Sequence, residues 1–367
     1  MKIDWILALA LLPLLFFGFI TMVSFTGDNL LAIKQLIWIL VSISVFLIFS
    51  YIDWRFIKRT DILVGLFLFS TALLTLLFMM KSIKGARSWI DLGTVSLQPA
   101  DFFKLVLILI LSKYFSRRHI EIAHFRHILV SGIYTLIPFV LILLQPALGS
   151  AIIIFCIWLG MVMVSGVSKR HLFLVFLIGL LSFTVLWEYV FKPYQKQRIE
   201  NFMNPSADVR GGGYNALQSQ IAVGSGQIFG KGIGYGTQSH LKFLPEYQTD
   251  FIFAAFAEEW GFAGVFLMLF FFGIVIWRIL YNSFIGSSNF EVLFGIGLAI
   301  FITSHITINV GMNLGLLPVT GITLPFVSYG GSHLLTEFAG LGILMGMRRY
   351  SRATHRDNMK NEFFGPV

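Results

Sequence analysis

Stretches of about twenty apolar residues recur along almost the whole chain, the length a helix needs to cross a ~30 Å hydrocarbon layer. Only helices and closed barrels can span it, because lipid offers no partner to an unpaired peptide group. About ten stretches of near-spanning length are readable: 6–25, 31–52, 62–80, 101–115, 128–144, 150–164, 172–190, 250–280, 289–316 and 332–347. Composition agrees: 57% of the 367 residues are hydrophobic and only 12% are charged, against about a quarter in a soluble domain. The chain reads as an all-α, polytopic integral membrane protein of about ten transmembrane helices. One membrane domain covers 1–367, with a large extracytoplasmic loop at 191–249 between helices 7 and 8 and a short basic cytoplasmic tail at 348–367. The first stretch is longer than most signal-peptide cores, so it reads as a retained span. The single cysteine, Cys156, excludes an internal disulfide and reads as a small packing residue.

Lysine and arginine in the connections set the orientation. With both termini in the cytoplasm, most of the 27 fall on the inner side or in the tail. Lys81, Lys84 and Arg87 disagree, lying outside in a short connection, and read as a functional exception. The net charge of +9 follows from this bias and from anionic lipid. It is no argument for nucleic acid, which is not expected as a partner.

Four carboxylates cluster where the long loop meets the eighth span: Glu246, Asp250, Glu258 and Glu259. Asp250 ends the polar segment and begins the apolar one. Two readings follow, a helix N-cap and a general base at the membrane edge. Glu258 and Glu259 lie inside the span, where ionised groups are costly and pair with one another or serve function. His305, His333 and Lys104 are their candidate partners. Lys104 follows Asp101 by three residues, on one helical face, which predicts an intramembrane pair; direct contact with substrate is the other role read for Lys104.

The loop itself is rich in glycine and cations. Arg198, Arg210, Lys231 and Lys242, with Lys84 and Arg87, suit a polyanionic lipid headgroup such as pyrophosphate. Ordinary solvated charge is the alternative. No glycine-rich nucleotide motif occurs, and the eight histidines show no metal-ligand spacing.

"GYNALQSQIAVGSG", "GKG", "GTQS", "FLPE" and "TDFIFA" follow one another in the loop and the next span. "KGARSWIDLG" and "QPALGSA" precede them, and "NVGMNLGLLPVTGITLPFVSYGGS" follows. These blocks, in this order over about 84–346, resemble the SEDS (shape, elongation, division and sporulation) family, which includes RodA and FtsW. The short termini and the "RIENFMNPSADVRGGGYN" stretch look more like RodA. The resemblance implies a ten-helix peptidoglycan glycosyltransferase of the bacterial inner membrane that polymerises lipid II during elongation and releases undecaprenyl diphosphate. It also implies a class B penicillin-binding protein as partner, beside lipid II and membrane lipids. Asp250 matches the family's catalytic aspartate. Gln218 and Ser219, within the first block, are carried over as substrate-binding, and Glu246 either orients the acceptor or faces solvent.

Two departures stand out. Gln98-Pro99-Ala100-Asp101 replaces the family's Gln-Pro-Ser-Glu, keeping a carboxylate. Pro146-Ala147-Leu148-Gly149-Ser150 replaces Pro-Asp-Leu-Gly-Thr, so no carboxylate role carries over to Ala147. No motif calls for a cofactor, although a divalent cation, Mg2+ or Mn2+, bridging Asp250 and pyrophosphate is compatible with the chemistry. The rival classes are a flippase for a lipid-linked precursor and a non-catalytic scaffold.

Overall fold

Each of the ten apolar stretches falls on a helix in the computed structural model, which describes residues 4–25, 30–80, 88–91, 93, 96–117, 125–166, 169–189, 191, 193–204, 213–241, 243–286 and 288–364. Lys84, Arg87, Arg210 and Lys242 lie outside the described residues. The first seven helices are α1 (Trp5–Phe25), α2 (Leu30–Tyr51), α3 (Thr60–Leu76), α4 (Pro99–Ser116), α5 (Phe125–Leu144), α6 (Leu148–Val164) and α7 (Lys169–Tyr189). Three shorter helices, α8 (Pro193–Met203), α9 (Tyr214–Ser225) and α10 (Thr237–His240), occupy the segment read as a loop. The chain closes with α11 (Ile252–Phe284), α12 (Asn289–Asn313) and α13 (Gly331–Phe364). By length and composition α1, α2, α3, α5, α11 and α12 can each cross a membrane. The polar connection before α4 carries a two-residue antiparallel ladder, Ile90 opposite Leu97 and Asp91 opposite Ser96.

Sequence explains the boundaries. Pro99 starts α4 at the first turn, where a missing N–H costs nothing. α13 runs on through the basic tail as far as Phe364. α12 is the central post, packed against α11, α4, α6 and α13. Phe294, Leu298, Phe301 and Ile302 of α12 share one continuous core with Phe103, Leu107, Ile108 and Leu111 of α4.

α1 runs antiparallel to α11, fastened at both ends. Asp4 accepts from Arg278 Nη2 at 2.6 Å and Asn282 Nδ2 at 2.7 Å. Arg348 of α13 reaches the same oxygen at 3.3 Å. At the far end Ser24 Oγ donates to the Glu259 carboxylate.

α11 is two helices joined across a break at Gly261, where φ is 65° and ψ is −167°. The residues before the break, from Ile252 to Glu259, are all buried. The backbone of the preceding loop binds the open ends. Lys231 N–H and Gly232 N–H donate to the carbonyls of Glu258 and Glu259, each at 3.0 Å. On the other side of the break Phe262 N–H and Ala263 N–H donate to Gln227 O and Ile228 O, at 2.8 and 2.9 Å. A helix interrupted at membrane depth must re-satisfy its freed peptide groups within the protein. Residues 226–234 do that, which is why they had to be folded against α11 rather than loose.

Candidate active site

Asp250 lies two residues before α11, half-buried. The helix N-cap falls on Phe251, with no side-chain cap bond, so the capping reading of Asp250 is overturned and the helix starts later than 250. The cause is a tight turn. Thr249 N–H and Phe251 N–H both donate to Glu246 O, at 3.1 and 3.2 Å. Glu246 itself has φ of 50° and is exposed, its carboxylate 3.3 Å from Thr249 Oγ1.

Every backbone carbonyl of 248–250 is gripped from elsewhere. Tyr329 N–H donates to Gln248 O at 2.8 Å. Ser328 Oγ donates to Thr249 O at 2.6 Å. Asp250 O accepts from Asn309 Nδ2 at 3.0 Å and Asn313 Nδ2 at 3.1 Å. Asn309 also donates to Ile322 O at 2.6 Å, and Asn313 to Asn309 O at 2.8 Å. Ser219 Oγ of α9 is 3.0 Å from both Asn313 O and Asn313 Oδ1. On the side-chain face, Gly321 (φ 74°) leaves room: a Cβ there would stand 3.4 Å from Asp250 Oδ2. The carboxylate is thus carried on a backbone that cannot drift, beside a residue with no side chain.

Ser219 is buried and braces Asn313 from α9. Asn309 and Asn313 were not among the sequence candidates. Their i, i+4 spacing puts both amides on one face of α12, and that was the available signal. Arg198 lines a small cleft with Asn201, Phe202, Ala216, Gln220, Gly315 and the 317–319 stretch. Gln218, partly buried on α9, lies two residues from that cleft's Gln220.

Glu258 and Glu259 do not meet Lys104 or the histidines, contrary to expectation. Glu258, fully buried, binds Lys231 Nζ at 2.6 Å, Thr237 Oγ1 at 3.1 Å and Gln238 N–H at 3.2 Å. Glu259 takes Ser24 and, at 2.6 Å, Gly234 N–H. Both carboxylates staple the glycine loop to the break in α11, Glu258 through its ion pair with Lys231 and Glu259 through Gly234 N–H.

Lys104 does find Asp101, at 2.8 Å, both side chains buried. Its Nζ is also 3.3 Å from His305 Nε2. His333 stacks on His305 with ring centroids 4.4 Å apart and joins Asp101 at 3.6 Å and Glu337 at 2.9 Å. Glu337 in turn accepts Phe326 N–H at 3.1 Å, and His305 Nδ1 lies 3.2 Å from Thr323 O. This cluster pins the 320–330 segment, which grips the Asp250 turn. Breaking one member of a buried pair leaves an uncompensated charge. Lys104→Met should lower stability by about 3 kcal/mol, the low end for such a loss because His333 still faces Asp101. Adding Asp101→Asn should recover most of it. Chemical or thermal unfolding of the two variants in detergent reads the difference, and an unrelieved double variant would disprove the pairing account.

The match to known proteins covers the site and the fold together. The family model described as "Cell cycle protein" (FTSW_RODA_SPOVE) matches residues 2–353. The chain belongs to this family. Within the family it is 36% identical over 304 residues to Stage V sporulation protein E of Bacillus subtilis, covering 83% of this chain and 82% of that one. It is also 36% identical over 273 residues to peptidoglycan glycosyltransferase MrdB of Escherichia coli K12, covering 74% and 72%. Among solved structures, a chain of a peptidoglycan synthase complex in which polymerization and crosslinking are coordinated superposes with a TM-score of 0.81 at 30% identity, covering 95% of this chain and 98% of that one. Rod shape determining protein RodA of Thermus thermophilus gives 0.71 at 28%, covering 95% and 97%.

Proposed function

We propose that this chain is a peptidoglycan glycosyltransferase that polymerises lipid II, with Asp250 as its general base. The observation that carries this is the gripped turn: a carboxylate at the head of a broken membrane helix whose backbone is fixed by Asn309, Asn313, Ser328 and Tyr329. Proton transfer to a positioned carboxylate needs that fixity, since a misplacement of about 1 Å can cost ~10²-fold. In the proposed step the acceptor sugar hydroxyl attacks the donor's anomeric carbon. A new C–O bond forms there as the bond to lipid diphosphate breaks with inversion. The hydroxyl proton passes to Asp250, and undecaprenyl diphosphate leaves with both phosphates.

Arg198 lines the cleft with Gln220 and Val319 and suits the diphosphate or an acceptor sugar; Lys84, Arg87, Arg210 and Lys242 are proposed for the same anion. Among the described residues no group of three or more His, Cys, Asp or Glu could hold a metal. A Mg2+ or Mn2+ ion would therefore rest on Asp250 and the substrate's own phosphates, a set that Mg2+ accepts, and would neutralise leaving-group charge. The partner is a class B penicillin-binding protein that cross-links the new strand, and the role is in elongation.

Incubating purified protein with labelled lipid II tests the reading: glycan polymer is expected. The buried Lys104, His305, His333 and Glu337 would equally suit a transport path, so relocation of lipid II across vesicles without polymer would replace the enzyme by a flippase. Orientation follows from the lysine and arginine bias, with both termini cytoplasmic. A thiol introduced by Tyr235→Cys in a Cys156→Ser background should react with an impermeant maleimide from outside intact cells. Reaction only after permeabilisation would invert the topology and put Asp250 on the wrong side for lipid II.

A further inference from the structure

Two helices act as rulers for the height of residues 226–235. α1 has 21 residues, roughly 31 Å at 1.5 Å per residue, which matches a ~30 Å hydrocarbon layer. One end stands beside Arg278 and Asn282 through Asp4, the other beside Glu259 through Ser24. The part of α11 after the break, 262–284, is about 23 residues and roughly 34 Å. Both rulers put Glu259 and Gly261 at one edge of the apolar slab.

The loop is pinned to that edge by its backbone: Lys231 and Gly232 to the carbonyls of Glu258 and Glu259, Gln227 and Ile228 to the amides of Phe262 and Ala263. Gly234 N–H adds a bond to the Glu259 carboxylate. Yet its large apolar side chains face outward. Phe229 is 84% exposed and Tyr235 75%, and Ile228 and Ile233 are exposed as well. Directly past the break Phe262, Phe266, Leu269 and Phe270 of α11 are exposed too, the face a spanning helix gives to acyl chains. Ile228 O is bonded to Ala263 N–H, which sets the loop's exposed side chains next to that face. A large apolar patch on a folded surface marks an interface, and the neighbour already covering the rest of this one is lipid.

We infer that residues 226–235 form an interfacial anchor dipping into the headgroup–acyl boundary of the leaflet at this end of the bundle. Ile228 and Phe229 enter the acyl side, and Tyr235 sits at headgroup level, where amphipathic aromatic rings collect. The Lys231 ammonium is bound to Glu258. The anchor fixes the height of the broken helix and, through its first half, of the Asp250 turn. A base that must meet a lipid diphosphate is thereby held at one depth. The inference rests on the chain spanning a membrane, not on the proposed reaction, and its test does not read activity.

Cys156 is the only cysteine, so Cys156→Ser gives a blank background. Nitroxide labels are placed in it by Phe229→Cys, Phe266→Cys and Glu246→Cys, one at a time. The purified proteins are reconstituted in nanodiscs of phosphatidylethanolamine and phosphatidylglycerol. Power saturation with oxygen and a water-soluble nickel chelate then reads depth. At position 229 the oxygen-to-nickel accessibility ratio should exceed that at 246 by about threefold or more and fall below that at 266, placing it within the ~5–10 Å interfacial zone. A ratio at 229 equal to that at 246 means the loop is in water and overturns the anchor. Loss of access to both reagents at 229 means that protein, such as a second copy, covers the patch, and overturns it equally.

Discussion

Asp250→Asn should lose lipid II polymerisation by about 10²–10⁴-fold while folding as the parent does, because general-base catalysis contributes on that scale. Asn is nearly isosteric. Asn309 and Asn313 grip its carbonyl oxygen, and the substitution leaves those bonds in place. The helix cap belongs to Phe251, which removes capping as an alternative cause of any loss. Asp250→Glu should also fail by ~10²-fold, since the extra methylene moves the carboxylate by about an ångström; the space over Gly321 does not correct the direction. Chain extension by purified variants, with melting in detergent as a control, measures both. An Asp250→Asn protein that still makes polymer at a normal rate would leave the site without its base.

Gly261→Ala should cost on the order of 5 kcal/mol or more, enough to prevent recovery of folded protein. Its φ of 65° with ψ near 180° belongs to a region essentially reserved for glycine, worth about 1–3 kcal/mol of strain. A Cβ would stand 2.2 Å from Gly230 N and 2.6 Å from Ile228 O, and overpacking of that kind typically costs ~1–3 kcal/mol more. Relief requires opening the loop-to-helix bonds, each worth about 1 kcal/mol. Gly273→Ala is the control on the same helix: nothing lies within 4 Å of its Cβ position, and alanine gains up to ~1 kcal/mol of helix propensity. Thermal unfolding in detergent compares them. Equal melting of the two variants would mean that the break tolerates a side chain, and that the loop is not fastened to it as described.

The helices were legible in the sequence because spanning length and apolarity are strong local signals, and all ten apolar stretches fall on helices. The Asp101–Lys104 pair was legible too, since both ends sit one turn apart on α4. What failed was anything set by contacts distant in sequence. The break at Gly261 leaves no mark in hydropathy, because the apolar run continues on both sides of it. The partners of Glu258 come from residues 231–238, which read as glycine-rich loop, and no periodicity points from one to the other. Likewise the grip on Asp250 is made by backbone carbonyls, and a carbonyl has no letter in the sequence. Asn309 and Asn313 could be seen as a pair on one helix face, but not what they hold.

The distances along the chain between Asp250 and its clamps have a consequence for biosynthesis. Asn309 follows it by 59 residues, Asn313 by 63, and Ser328 follows Thr249 by 79. During translation the aspartate and its helix enter the membrane well before any of these exist. A nascent chain can therefore already display the carboxylate, and the surface that meets lipid, without the frame that gives the carboxylate a fixed position. Competence arrives only with α12 and the 320–330 segment that follows it. An incomplete product stalled before that point is inert by construction, so a cell would not be exposed to a half-made polymerase acting at its wall.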